Sequence, residues 1–229
     1  MPSTLRSTLS LLLLSLTSCV DASFGGGFWT SVVGTDNWIR EAESTLIVPA
    51  HPPNNKGIVA LWLGMDMSNK DFIQALILSD TWTRGGEWET HAFTLHPNYP
   101  TVPPGQGPNV FIKPGDRVTS HYIYNDATTQ YDQTVSVNGK VVSTLSTSAG
   151  GRSQSCYSGM ECTTSAPETC GYVGAHQWLN TRIVLNEAQK DFDETLEYWP
   201  EATSSGIYTT DKGKTWKIDE AHVAAFTFD

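Results

Sequence analysis

Residues 60–80 read ALWLGMDMSNKDFIQALILSD, two apolar runs joined by a short polar break. In an extended chain successive side chains alternate between faces. The second run therefore puts Phe72, Gln74, Leu76 and Leu78 on one face and Ile73, Ala75 and Ile77 on the other. Both faces are apolar, which predicts a central strand covered on both sides. Gln74 is the exception. Burying an unpaired amide costs about 1–3 kcal/mol, so this side chain needs partners or an opening.

The rest of the chain repeats the strand signal. Short runs rich in β-branched and aromatic residues predict strands at 44–50, 57–65, 71–79, 88–96, 109–114, 116–125, 134–143, 176–185, 206–210 and 222–228. Turn clusters such as PPNNKG, TRGG, PPGQGP, KPGD and SAGGRS separate them. VSVNGKVVS is the clearest hairpin, because Asn138-Gly139 suits the positive φ angles of a two-residue type I′ turn. Only 187–198, EAQKDFDETLEY, has helical character. This pattern predicts an all-β fold, a two-sheet antiparallel β-sandwich of jelly-roll or concanavalin A-like type.

The N-terminus is set apart. Arg6, the apolar run LSLLLLSL and the ending Val20-Asp21-Ala22 have the form of a signal peptide over residues 1–22, leaving one domain at 23–229. The apolar run is too short for a permanent membrane anchor. A secreted protein is expected, and its net charge of −10 is unchanged by removing Arg6 and Asp21. That acidity argues against nucleic acid or anionic membrane surfaces as partners. No Asn-x-Ser/Thr acceptor for an N-glycan is present. A monomer acting on a small molecule or carbohydrate is expected.

Outside the leader the cysteines are Cys156, Cys162 and Cys170. In an oxidising compartment two of them pair, as Cys162–Cys170 or Cys156–Cys170. Three cysteines without matching histidine spacing do not make a zinc site. Acidic residues between Glu187 and Glu197 read as a solvated face, so no metal and no cofactor are expected. A Gly-x-Ser-x-Gly elbow and a phosphate loop are both missing.

Trp62 to Asp66 (WLGMD), a polar loop and Gln74 followed by ALIL resemble the central region of the eqolisins, the fungal glutamic peptidases. AESTLIVPAHPP (42–53), HAFTLHPNY (91–99) and VFIKPGDRVTSHY (110–122) are similar to further segments of that family, in the same order. The resemblance implies a β-sandwich with Gln74 as the amide that steadies a tetrahedral oxyanion. In the family a glutamate in an Ala-Glu-Trp-Ile-Val segment is the general base. Its best counterpart here is AHQWL (175–179), which puts Gln177 at that position; sliding to TRIVL (181–185) puts Thr181 there. Neither side chain accepts a proton usefully, so the family mechanism loses its base.

Three readings follow. In one, a peptidase takes its base from Asp66, Glu87, Glu89 or His91. In the second, Gln74 and Gln177 work with His91 and Asp66 on a carbohydrate or small organic substrate. Trp62, Trp178, His121, Tyr122, His176 and Arg182 are then the substrate-binding set, with Trp62 and Trp178 as cleft walls. In the third, the protein binds sugars without catalysis, which eight tryptophans would suit.

Overall fold

The computed structural model describes residues 20–34, 36–97, 101–165 and 168–229. Residues 1–19 of the expected leader, and Tyr99, lie outside them. Val20–Ala22, the end of the expected leader, form the start of the first strand.

The strands are β1 (Val20–Phe24), β2 (Phe28–Ser31), β3 (Ile39–Ile47), β4 (Ile58–Met67), β5 (Phe72–Asp80) and β6 (Trp88–Leu95). Next come β7 (Gly105–Gln106), β8 (Val110–Phe111), β9 (Arg117–Asn125), β10 (Gln130–Val137), β11 (Lys140–Thr147), β12 (Ser153–Ser165) and β13 (Gly171–Val173). The chain ends with β14 (His176–Leu185), β15 (Glu197–Tyr198), β16 (Ala202–Ser204), β17 (Ile207–Thr209), β18 (Thr215–Val223) and β19 (Phe226–Phe228).

Antiparallel pairing arranges the long strands as two sheets. The first runs β11–β10–β9–β3–β14–β18, with β16 and β17 on the outer edge of β18. The second runs β12–β4–β5–β6, with β1 and β2 beside β12 and β7 and β8 beside β6. Leu46, Val118, Tyr122, Trp178 and Ile183 of the first sheet pack against Leu61, Leu63, Ile73, Ile77 and Trp88 of the second. This is the expected all-β sandwich.

One polar bolt crosses the core. Tyr122 reaches from β9 between two strands of the facing sheet, where its hydroxyl donates to the Leu63 carbonyl (2.7 Å) and accepts the Ala75 amide (2.6 Å). Leu63 and Ala75 are register partners, so the phenol is wedged into the β4–β5 ladder beside Gln74.

Several expectations change. Residues 187–198 hold a 3₁₀ turn at Phe192–Thr195 and the short strand β15 in place of a helix, and no helix among the described residues is long and apolar enough to cross a membrane. The expected strand at 222–228 is the end of β18 and, after a break, β19. β12 has no counterpart among the expected strands, yet it is the longest strand described. The hairpin at Asn138-Gly139 forms as expected, with φ angles of 51° and 82°.

Cys162 pairs with Cys170, and Cys156 is a free, buried thiol. The disulfide spans a sequence separation of 8. Closing so short a loop is worth about 2–3 kcal/mol on the chain-entropy account. Reduction should lower the urea-unfolding free energy by that amount while Cys156 stays unreactive toward thiol reagents in the native state. Labelling of Cys156 without unfolding would contradict its burial.

Candidate functional site

Gln74 sits on β5 with its side chain on the outer face of the second sheet, since its neighbours Ile73 and Ala75 enter the core. Cross-strand register sets out what surrounds it, because opposed residues in antiparallel strands share a face. Across β12, β4, β5 and β6 one row is Tyr157, Gly64, Gln74 and Phe93. A second is Gly159, Trp62, Leu76 and His91; a third is Glu161, Ala60, Leu78 and Glu89. On the other side of Gln74 the row is Ser155, Asp66, Phe72 and Leu95.

Aromatic rings floor this face. Trp62 packs edge-on against Phe72 and Tyr157 (both 5.5 Å between centroids) and against Trp199 (6.3 Å), while Phe72 and Tyr157 stack. Two glycines make the packing feasible. A Cβ on Gly159 would come within 2.5 Å of the Trp62 ring, and one on Gly64 within 2.3 Å of the Phe72 ring. Trp62 Nε1, Tyr157 Oη and His91 Nδ1 are buried and outside normal hydrogen-bond geometry, and the groups that face them are Glu161, Asp66 and Asn109 in turn.

The ionisable groups here are shifted by burial. Glu161 is 5% exposed, and desolvation lifts its carboxyl above the ordinary range against the lowering influence of Trp62 and Thr163. Asp66 is raised in the same way, opposed by Tyr157, Ser155 and Lys70. Burial, then the Asp66 charge, pushes the Tyr157 phenol up, so it stays a donor. Burial holds His91 down at about 4, leaving it neutral. Glu89, on the same face, lies 3.6 Å from Arg84.

The expected site residues are divided among three places. Gln74, His91, Asp66 and Trp62 share the face just described, where Gln74 and His91 are each 3% exposed and Trp62 is 0% exposed. Tyr122 and Trp178 are core residues, not substrate contacts or cleft walls, being 0% and 1% exposed. Gln177, His121 and Arg182 belong to the first sheet. There His121 (2.7 Å) and Arg182 both bind Glu41, and that pairing draws the Glu41 pKa down against the upward pull of burial. Glu41, Glu43 and His121 lie close enough to offer three metal ligands, but the Arg182 guanidinium already binds Glu41. Gln177 pairs with Ile47 and His222 and lines a separate cavity with His176. His176 itself is buried, with Nδ1 3.2 Å from the Gly174 carbonyl and its pKa lowered to about 4 by desolvation.

Gln74, buried, and Gln177, half-buried, therefore lie on the outer sides of opposite sheets and cannot meet over one substrate. The strand that flanks β4 opposite β5 is β12, and the glutamate it carries on the Gln74 face is Glu161. Sequence reading missed it because SGMECT lacks the apolar alternation of a strand. Glu161 and Gln74 still do not form a pair. They stand four residues apart along the strands, about 13 Å, and two strands apart, about 10 Å. The residue in Glu161's own row on β5 is Leu78.

No family model matches this chain, and no curated protein matches its sequence. Solved structures do. Two crystal structures of scytalido-glutamic peptidase with transition-state analogues align at TM-scores of 0.54 and 0.52, with 14% and 13% identity. SCP-B, an eqolisin-family peptidase in complex with the tripeptide Ala-Ile-His, aligns at 0.51 with 12% identity. Each alignment covers 87% of this chain and 98% of the other. The protein has an eqolisin-like β-sandwich fold. At these identities the likeness extends to the fold alone.

Proposed function

We propose that the protein is a secreted acid–base enzyme that works on the outer face of β12–β4–β5–β6, with Glu161 as proton acceptor. Its substrate is a neutral carbohydrate or small organic molecule. The observation that carries this reading is Glu161 itself, a buried carboxylate with raised pKa and no cation beside it, set at the edge of an aromatic floor. Structural carboxylates are commonly buried with a cation or several donors, whereas a proton acceptor needs a pKa drawn toward the working pH. The Gln74 amide supplies a donor for substrate oxygens, while Trp62 Nε1 and Tyr157 Oη face Glu161 and Asp66. Glu161, Glu89 and Asp66 on one face disfavour an acidic sugar.

A second reading, an acid-active peptidase, draws on the shared fold and on Glu161. The approximate spacing of Gln74 from Glu161 speaks against the glutamine–glutamate pair, because one water cannot touch both. The deciding experiment incubates wild type, Glu161→Gln and Gln74→Ala with an unfolded protein from about pH 3 to 7 and, in parallel, with neutral oligosaccharides. The proposal expects no proteolysis, and sugar turnover or binding that Glu161→Gln removes and Gln74→Ala only weakens. Proteolysis lost in both variants would replace it with the peptidase reading, and activity untouched by Glu161→Gln would end both.

A further inference from the structure

At one end of the first sheet a cavity of about 680 Å³ opens on the side away from Glu161. That is the size of pocket that holds a small organic ligand. Its floor is one cross-strand row, Ile47 on β3, Gln177 on β14, His222 on β18 and Thr203 on β16. Val48, Pro49, Ala202, Val223 and Ala224 give it a mainly apolar wall. Nothing in the proposed reaction uses it.

The polar groups in this cavity are ordered among themselves. Gln177 Nε2 lies 3.3 Å from His222 Nδ1, and His222 Nε2 lies 3.1 Å from Glu220 Oε1. With the amide donating to Nδ1, the imidazole proton sits on Nε2 and points to Glu220. The Gln177 oxygen is left free to accept from a ligand. At the rim stands Glu201, with φ at 73°, a left-handed conformation disfavoured for any residue with a Cβ. The Ala224 amide donates to the Glu201 carbonyl (2.7 Å) and pins it there. A strained residue held by its surroundings at the mouth of a cavity is a recurrent mark of a ligand site.

Charge decides the ligand class. No lysine or arginine is among the lining residues, whereas Glu201 lines the rim and Glu220 stands behind His222. The chain as a whole carries −10. We propose that this cavity binds a small organic amine, its apolar body against Ile47, Pro49 and Val223 and its ammonium group between Glu201 and the Gln177 oxygen. An anion of the same size would meet the Glu201 carboxylate at the rim and find no lysine or arginine in the lining to offset it.

Titration calorimetry with benzylamine, benzyl alcohol and benzoate tests this on the full-length protein. Benzylamine should bind saturably, the alcohol more weakly and benzoate not at all. Glu201→Gln should weaken benzylamine about two- to fivefold, the range for one exposed charge pair, and raised salt should do the same. Ile47→Trp should abolish binding by filling the floor. Since that change can disturb β3, Glu201→Gly, which suits the positive φ, serves as a second carboxylate deletion. Failure of benzylamine to saturate, equal binding of benzoate, or indifference to both Glu201 changes would each overturn the proposal. None of these outcomes bears on Glu161, which faces away on the other sheet.

Discussion

Glu161→Gln should lower turnover by about 10²–10⁴-fold, the usual contribution of a positioned general base. It should at the same time make the fold more stable at neutral pH. The sign follows from the raised pKa. A carboxyl that holds its proton more tightly folded than unfolded favours the fold most below the unfolded pKa, near 4.3. That advantage is lost as pH rises through the folded value. The glutamine variant never ionises, so its urea midpoint should match wild type in acid and exceed it increasingly above about pH 4.3. Functional groups often show this exchange of stability for activity. Equal destabilisation at every pH would instead make Glu161 a structural acid whose hydrogen bonds the fold requires.

Tyr122→Phe should lower the unfolding free energy by about 2–4 kcal/mol, although it removes a single oxygen. That atom satisfies both the Leu63 carbonyl and the Ala75 amide inside the core. Each buried backbone group left without a partner costs about 1–3 kcal/mol. Denaturant titration of the two proteins measures the difference directly. A loss below about 1 kcal/mol would mean that the β4–β5 ladder closes when the wedge is removed, so that Leu63 and Ala75 satisfy each other.

The fold was legible where burial dictates composition. FIQALIL is apolar on both faces because a core covers one side and an aromatic layer the other, and the chain shows this directly. β12 was not legible, for a physical reason. Its inward residues are Cys156, Ser158, Met160 and Cys162, and its outward ones include Gly159 under the Trp62 ring. Small side chains chosen to fit neighbouring bulk look like loop composition when the neighbours are unknown. One of the four strands of the face that holds Gln74 was thus missing, and so the glutamate was sought on β14 instead.

β14 misled in a second way. Asn180 adopts φ of 55°, and the pairing register shifts between Leu179 and Arg182. The extra residue lets Trp178 and Ile183 both enter the core although they are an odd number of positions apart. Simple alternation cannot anticipate such a bulge, and the partners β3 and β18 that would expose it are far away in sequence. The aromatic residues nearest the two glutamines, Trp62 and Trp178, looked equivalent for the same reason. One lies on an outer face and the other in the core.

Gln74 and Gln177 lie on opposite outer faces with Trp88, Tyr122 and Trp178 packed between, yet one segment serves both: Trp199 packs on Trp62 and Tyr157, and Glu201 and Ala202 line the cavity beside Gln177. Substitutions at sites so separated usually add within about 0.3–0.5 kcal/mol. A lineage carrying this sandwich can vary the two glutamines separately, but changes between Trp199 and Ala202 reach both faces.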